Sequence, residues 1–259
     1  FYGELKLPSR LQKLGVSAFN GCNGLSGNLV IPQTLTYVPT GAFKGCGLGG
    51  NLQLHDGIGS IGTSAFANNG FKGELVLPKE LRTIPDECFY NNDFSGELKL
   101  PKNLASIGSR AFANNWRLMG VLEIPEDVVN ISPGAFAECR SLESIVLPSA
   151  LETVGSGQGY GGAFKNCYGV GSIVCKGTMP PYVQSGAFDG VAKDNFTLEV
   201  PESAVQQYQA AGGWCEFKRI AAHHELVCRP SVACALSTQH KQTLVVNAEG
   251  EWEVESKPS

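Results

Sequence analysis

The residues best suited to chemistry lie close together near the C-terminal end of the chain. His223 and His224 precede Cys228 and Cys234, and nitrogen and sulfur donors of this kind are the ligands that zinc prefers. The spacing matches no standard zinc site, and two adjacent histidines rarely point at one ion. We therefore predict a linker here, with no bound metal. A short disulfide loop between the two cysteines stays open as an alternative.

A glycine-rich run over residues 155–162 contains the formal pattern G-x-G-x-x-G at Gly157, Gly159 and Gly162. A dinucleotide site needs this pattern between a strand and a helix, with an acidic residue about 20 positions later. Here the run interrupts a repeat turn instead. We predict an insertion loop in which Tyr160 is the sizeable contact residue, and we predict no cofactor.

The motifs of hydrolytic enzymes are missing from the chain. Neither G-x-S-x-G nor H-E-x-x-H occurs, although a nucleophile needs a base and an orienting group beside it. Spacing alone does not test for a carboxylate pair that would cleave glycosides, because the fold sets such pairs. The acidic residues are scattered over outward positions, so we predict a protein that is not an enzyme and has no catalytic residues.

Charge and hydropathy narrow the range of partners. The chain carries a net charge of −4, and its basic residues form no stripe of the kind that nucleic-acid binding requires. No apolar run reaches the roughly 20 residues that span a bilayer. We expect no nucleic-acid partner and no transmembrane segment in this fragment. The sequence begins inside a repeat, so the lack of a leader carries no information about location.

Two signatures recur through most of the chain with one common period. The first is an L-x-L-P-like segment, with spacings of 23 or 24 residues that lengthen to 28 and 25 at the end, starting at Leu5, Leu29, Leu52, Leu75, Leu98, Leu122, Ile145, Ile173 and Leu198. The second is an Ala-Phe pair, in which Cys88 once replaces alanine, with phenylalanines at Phe19, Phe43, Phe66, Phe89, Phe112, Phe136, Phe164 and Phe188. A fixed period of this length indicates stacked structural repeats.

Each repeat is interpreted as one coil of a solenoid. The L-x-L segment alternates with period two, which predicts a short strand with both leucines inward, and proline ends it. Stacked coils should bring the phenylalanines into a continuous spine. Three residues after each phenylalanine stands a small, mostly buried position, occupied by Cys22, Cys46, Asn69, Asn92, Asn115, Cys139, Cys167 and, in the last repeat, Val191. We predict reduced thiols, although Cys22 and Cys46 would lie side by side.

The pattern L-x-L-P-x-x-L-x-x-I-G-x-x-A-F-x-x-C/N, which Leu98 to Asn115 carries without departure, resembles the BspA-type leucine-rich repeats of bacterial surface proteins. The resemblance covers about residues 3–220. It implies a leucine-rich-repeat solenoid of short strands and turns with little helix, coiled right-handedly around one main parallel β-ladder. It also implies an exported protein, at the cell surface or extracellular, that acts in adhesion or protein binding.

The repeat stops after Pro201. We predict a solenoid over residues 1–220 with about nine coils, capped at 201–220 by a short helix that Ser203 would begin. Residues 221–259 are predicted to be a linker and a β-rich tail with a hairpin. The run from Leu244 to Val254 resembles the start of a carbohydrate-binding-type immunoglobulin-like module of Bacteroidetes surface proteins, which would make the tail a fragment of such a module.

The outward residues of the strands are the predicted binding surface. Val121, Val146 and Val174 come from consecutive coils and are expected to form an apolar strip, with Glu123 beside it; exposed apolar patches often mark interaction sites. Ordinary β-propensity explains the same valines without a function. The partner would be a host or cell-surface protein, or a glycan. A glycan-uptake component would use exposed aromatic residues, here Tyr90, Trp116 and Tyr160, and a structural spacer is the third alternative.

Overall fold

A computed structural model of the chain describes residues 2–155, 161–223, 244–246 and 252–254. The chain divides into two compact units, Phe1–His223 and His224–Ser259. The first is a parallel β-solenoid of about nine coils with little helix, as predicted. In the second, the strands β19 (Leu244–Val246) and β20 (Trp252–Val254) pair antiparallel. Whether the second unit belongs to an immunoglobulin-like module stays a prediction.

The main ladder of the solenoid is built from the L-x-L segments and the residues just before them. All of its pairings are parallel. Its strands are β1 (Tyr2–Glu4), β2 (Gly24–Ser26), β3 (Leu29–Val30), β5 (Leu52–Gln53), β7 (Lys72–Gly73), β9 (Asp93–Glu97), β11 (Arg117–Glu123), β13 (Ser141–Leu147), β15 (Ser172–Cys175), β17 (Leu198–Val200) and β18 (Ile220–Ala222). The last strand carries the ladder slightly past residue 220.

A second parallel ladder runs beside the main one, where the repeat has its L-x-x-I segment. Its two-residue strands are β4 (Tyr37–Val38), β6 (Ser60–Ile61), β8 (Thr83–Ile84), β10 (Ser106–Ile107), β12 (Asn130–Ile131), β14 (Thr153–Val154) and β16 (Tyr182–Val183). Sequence alone indicated only an apolar pair here. A two-residue strand is too short to show alternation, so its pairing appears only when coils stack.

The predicted phenylalanine spine is present. Neighbouring rings from Phe19 to Phe188 stack with centroids 5.4–5.8 Å apart and interplanar angles of 4–12°. Beyond Phe188, Trp214 covers the last ring in a tilted contact, with centroids 5.4 Å apart and an interplanar angle of 51°. Because each ring is covered by the rings of the coils above and below, the stack removes from water the apolar surface that a single coil would expose.

From Cys46 to Cys167, the residues three positions after the phenylalanines form a column of hydrogen-bond donors. Asn92 Nδ2 donates to the carbonyl of Phe66, one coil earlier, at 3.0 Å. The thiol of Cys139 donates to the corresponding carbonyl of Phe112 at 3.3 Å. Asparagine and cysteine can therefore occupy the same position of the repeat, because each donates to the equivalent phenylalanine carbonyl of the preceding coil.

The seven described cysteines are free thiols in this structure, and six of them stand in repeat positions. Burial raises the pKa of Cys46 and that of Cys167 to about 12. These thiols therefore keep their protons at neutral pH and remain donors. Cys228 and Cys234 lie outside the described residues.

The C-terminal cap closes the solenoid core. A 3-10 turn (Glu202–Ala204) leads into α1 (Val205–Ala210), and Tyr208, Trp214 and Phe217 are buried below it. Tyr208 Oη donates to the Gly177 carbonyl and Trp214 Nε1 to that of Pro181. The expectation that Ser203 begins the helix is wrong: Ser203 lies within the 3-10 turn, and no side chain caps either segment.

We predict that a donor, rather than bulk, is required at position 92. Asn92→Val buries more apolar volume than Asn92→Cys, but it removes one of the two side-chain donors to the Phe66 carbonyl, which keeps only Asn69 Nδ2. The cysteine variant should therefore be the more stable of the two by about 1 kcal/mol, measured as the free energy of unfolding in urea. Equal stability, or a more stable valine variant, would contradict the donor role.

Candidate binding face

The outward residues of the main ladder form a small apolar area between carboxylates. Val146 lies directly opposite Val174, Glu123 lies opposite Val146, and Glu199 lies opposite Val174. Both valines are half-buried, and Glu123 is exposed. Directly opposite side chains in a sheet lie within contact distance, so the two valines form one continuous apolar surface.

Val121 is not in line with the other two valines, and the expected three-valine strip is wrong on this point. The inward residues Leu122 and Ile145 are paired with each other. Val121 stands just before Leu122, whereas Val146 stands just after Ile145, so Val121 lies opposite Ser144. It is therefore a diagonal neighbour of Val146, offset by two residues along the strand. Its side chain is 44% exposed, and it borders a cleft instead.

This cleft opens where the main ladder is interrupted. Glu97 pairs with Met119 and Leu122 pairs with Ile145, but in the described structure no ladder pairing joins residues 98–100 to residues 122–124. Gly120 has a φ of 74°, and the register of β11 shifts directly after it. A cleft of about 490 Å³ lies between the two segments, and Val121, Glu123, Ile124, Lys99 and Lys102 are among the residues that line it.

A similar cleft lies one coil earlier. It measures about 480 Å³, and residues 74–80 face residues 99–103 across it. Val76 lines it and is 62% exposed. The outward face of the main ladder therefore has the paired Val146 and Val174 at one end and two open, partly apolar clefts at the other.

Lys176 links three coils on this face. Its Nζ donates to Glu123 Oε1 at 3.0 Å and to Glu126 Oε1 at 3.1 Å. Partial burial acts to raise the pKa of Glu126, but hydrogen bonds from Lys176 and Ser149 outweigh it and lower that pKa. Partial burial likewise acts to lower the pKa of Lys176, but the two carboxylates raise it. Lys176 stands where most repeats have proline, so no motif pointed to it.

Two of the three predicted aromatic residues, Tyr90 and Trp116, lie in the described structure. Tyr90 is half-buried, with the Arg110 guanidinium 3.8 Å from its ring centroid and Asn114 Nδ2 donating to its Oη at 3.2 Å. Trp116 is 48% exposed, with Arg117 4.6 Å from its ring. Tyr160, like the rest of residues 156–160, lies outside the described residues.

Tyr90 forms one wall of a polar groove of about 410 Å³ at the Ala-Phe corner. Ala113 and Ala137 line it together with Lys165 and Asn166. Asn166 Nδ2 donates to Glu138 Oε1 at 2.5 Å. Sequence reasoning missed all of these residues except Tyr90, because the residues that follow each phenylalanine differ between repeats. The one available signal was that alanine directly follows the phenylalanine in several repeats.

The described residues contain no group of three or more His, Cys, Asp or Glu side chains placed to hold a metal ion. His223 instead has its Nδ1 2.5 Å from Glu199 Oε2. His224 lies outside the described residues, as do the two cysteines considered with it. Within the same described residues, no helix has the length and apolar character to cross a bilayer.

We predict that Lys176→Met weakens the fold slightly and only in part of the pH range. A carboxyl whose pKa is lowered by folding stabilises the fold above its unfolded pKa, and this contribution disappears as the pH falls through the folded value. The pair is partly exposed, so the loss should be at most about 1 kcal/mol at pH 7 and should disappear once the pH has fallen below the lowered pKa of Glu126.

Urea unfolding at several pH values, together with an NMR titration of Glu126, measures this effect. The pKa of Glu126 should rise in Lys176→Met. Lys79→Met, which removes a different exposed ion pair with Asp56, should leave that pKa unchanged. An unchanged Glu126 pKa in Lys176→Met would show that the contacts seen here do not persist in solution.

The repeat pattern agrees with a known family of repeats. The family model for the BspA-type leucine-rich-repeat region matches in six copies over residues 2–119 and 60–191. A leucine-rich repeat protein from Bacteroides ovatus is similar at 19% identity with a TM-score of 0.38, over 77% of this chain and 67% of that one. A leucine-rich cell surface protein from Faecalibacterium prausnitzii is similar at 16% identity with a TM-score of 0.31, over 81% of this chain and 63% of that one.

The match therefore spans less than two thirds of the second of these proteins. No curated protein matches the chain. The family model covers well over half of the sequence, and the coils it describes are the coils of the structure. The chain belongs to the BspA-type leucine-rich-repeat family.

Proposed function

We propose that this chain is a non-enzymatic binding scaffold at a bacterial cell surface, and that it recognises a host or cell-surface protein through the outward face of the main ladder. The observation that carries the proposal is the directly paired Val146 and Val174, with Val121 and Glu123 at the neighbouring cleft. The location rests on the resemblance to exported family members.

A protein suits this face better than a sugar does. The centre of the face is aliphatic, and each carboxylate beside it has a side-chain partner, Lys176 for Glu123 and His223 for Glu199. Aliphatic side chains gain binding energy when apolar atoms cover them, and a polar rim around an apolar centre is the usual anatomy of a protein interface. The matched family model describes a repeat region and not a catalytic domain.

The proposal predicts that Val146→Lys together with Val174→Lys abolishes partner binding and leaves the fold intact. Lysine is the better probe here because Glu123 and Glu199 lie opposite the two positions and would pair with it, whereas glutamate would meet like charges. Loss of a central apolar pair should weaken binding by about 100-fold or more.

The measurement is capture of extracted surface proteins on the immobilised chain, followed by titration of each captured protein with purified variants. The matched control is Ser60→Lys with Ser106→Lys, which adds the same charge to exposed positions of the second ladder. A captured protein that binds the valine double variant as tightly as the wild type argues against this face.

A glycan is the second candidate ligand, and the groove at Tyr90 is the observation that favours it. An aromatic wall, two alanines and a row of amide and carboxylate groups from Asn114, Glu138 and Asn166 surround a space of about 410 Å³. Sugars present apolar ring faces to aromatic residues and hydroxyls to planar polar groups. This function would make the chain a carbohydrate-binding component of a glycan-uptake system.

On a glycan array, Tyr90→Ala should lower the affinity for any bound glycan about tenfold. Tyr168→Ala is the control, because Tyr168 is an exposed tyrosine that also has an arginine near its ring. Equal loss in both variants, or no loss in either, counts against the groove. If neither proteins nor glycans bind, the structural spacer becomes the better account of the chain.

A further inference from the structure

Two pairs of cysteines occupy the same column in neighbouring coils. Cys22 and Cys46 each stand three residues after the stacked Phe19 and Phe43, and Cys139 and Cys167 stand in the same way after Phe136 and Phe164. The column holds asparagine at the three positions between the pairs, Asn69, Asn92 and Asn115. The question is whether either pair is close enough to react.

The hydrogen bonds place each pair in contact range. The carbonyl of Phe19 accepts from the backbone N–H of Cys22 at 3.0 Å and from the Sγ of Cys46, also at 3.0 Å. The shared acceptor puts the Cys46 thiol next to the Cys22 backbone. The rings of Phe19 and Phe43 are 5.5 Å apart in the same two coils, and disulfide-bonded residues usually have Cα atoms about 4.4–6.8 Å apart.

The second pair has the same geometry but a different surrounding. The Phe136 carbonyl accepts from Cys139 N and from Cys167 Sγ, both at 3.2 Å. Here both thiols are fully buried, and that of Cys139 donates to Phe112 on the side away from Cys167. Cys22 is only half-buried, and its thiol makes no hydrogen bond within the described structure.

We propose that Cys22 and Cys46 are a redox modification site that closes to a disulfide between the first two coils, while Cys139 and Cys167 stay reduced in the folded chain. The accessible Cys22 is the attacking thiol and the buried Cys46 is the resolving thiol. The oxidant is a small-molecule disulfide such as oxidised glutathione.

The reaction is a double thiol–disulfide exchange. The Cys22 thiolate attacks one sulfur of the oxidised glutathione, whose S–S bond breaks and releases one glutathione thiolate. The Cys46 thiol then loses its proton and attacks the Cys22 sulfur, which releases the second glutathione. Two protein thiols are oxidised, one molecule of oxidised glutathione is reduced to two thiols, and the two protein protons end on those thiols. Burial raises the pKa of Cys46 to about 12, so closure should accelerate with rising pH.

The other described cysteines lack such a neighbour. Cys88 stands in the alanine column between Ala65 and Ala111, and Cys175 lies opposite Leu147 in the main ladder. Cys215 is exposed and would form mixed or intermolecular disulfides, so the experiment uses the full chain with Cys215→Ser.

The folded chain is incubated in a glutathione redox buffer, quenched with acid, alkylated and mapped by mass spectrometry. We expect a cross-linked peptide pair containing Cys22 and Cys46, with loss of two hydrogen atoms, and alkylatable Cys139 and Cys167 after unfolding. With Cys46→Ser, Cys22 should stop at the glutathione mixed disulfide. With Cys22→Ser, Cys46 should stay free. In Cys46→Ser the hydroxyl can still donate to the Phe19 carbonyl, and Cys22→Ser leaves the backbone N–H of residue 22 on that carbonyl, so both variants should keep the wild-type unfolding midpoint.

Full alkylation of both Cys22 and Cys46 after equilibration would overturn the proposal. Cross-linking of Cys139 to Cys167 at the same rate would also overturn it, because accessibility would then not select the pair. Closure that is equally fast at pH 7 and pH 9 would exclude Cys46 as the resolving thiol.

Discussion

The stacking of one coil on the next is the constraint on which the rest of this molecule depends. A single coil has too few apolar contacts to bury its own core, so each ring of the phenylalanine spine is covered only when a neighbour lies 5.4–5.8 Å away. The coils are then close enough to pair in parallel ladders over much of their length. Each residue therefore belongs to a column and meets the equivalent residues above and below it, in parallel register.

The arrangement in columns explains why cysteines, glycines and charged residues that could belong to an active site have structural roles here. Buried cysteines such as Cys139 are donors to a carbonyl of the preceding coil, and glycines such as Gly41 and Gly45 occupy left-handed corners before and after the Ala-Phe pair. Glu87 and Arg110 hold the same kind of corner conformation without being glycine, and they form an ion pair at 3.1 Å. Left-handed backbone is costly for such bulky residues, so the pair is held there by the coils around it.

The period and the inward residues were enough to predict the solenoid, the spine and the buried column, because burial imposes the same requirement in every coil. The outward features were less predictable. The offset of Val121 from Val146 arises because Val121 precedes the inward residue of its strand and Val146 follows the inward residue of the next strand. The cleft beside Val121 depends on a left-handed Gly120 and on ladder bonds that fail to form. The long reach of Lys176 to Glu126 crosses a whole coil, and no local pattern encodes it.

The difference between inward and outward residues also means that stability and recognition depend on different positions. An inward substitution disturbs two neighbouring coils at once, whereas an outward residue such as Val174 is bounded only by the side chains beside it on the sheet. The outward face can therefore change in sequence while the coils persist. The cysteine column is an intermediate case. Asparagine, as at Asn69, and cysteine, as at Cys46, both donate hydrogen bonds in this column, but only cysteine can be oxidised. Which of the two residue types a coil carries therefore leaves the fold unchanged. It decides whether that coil can be joined covalently to its neighbour.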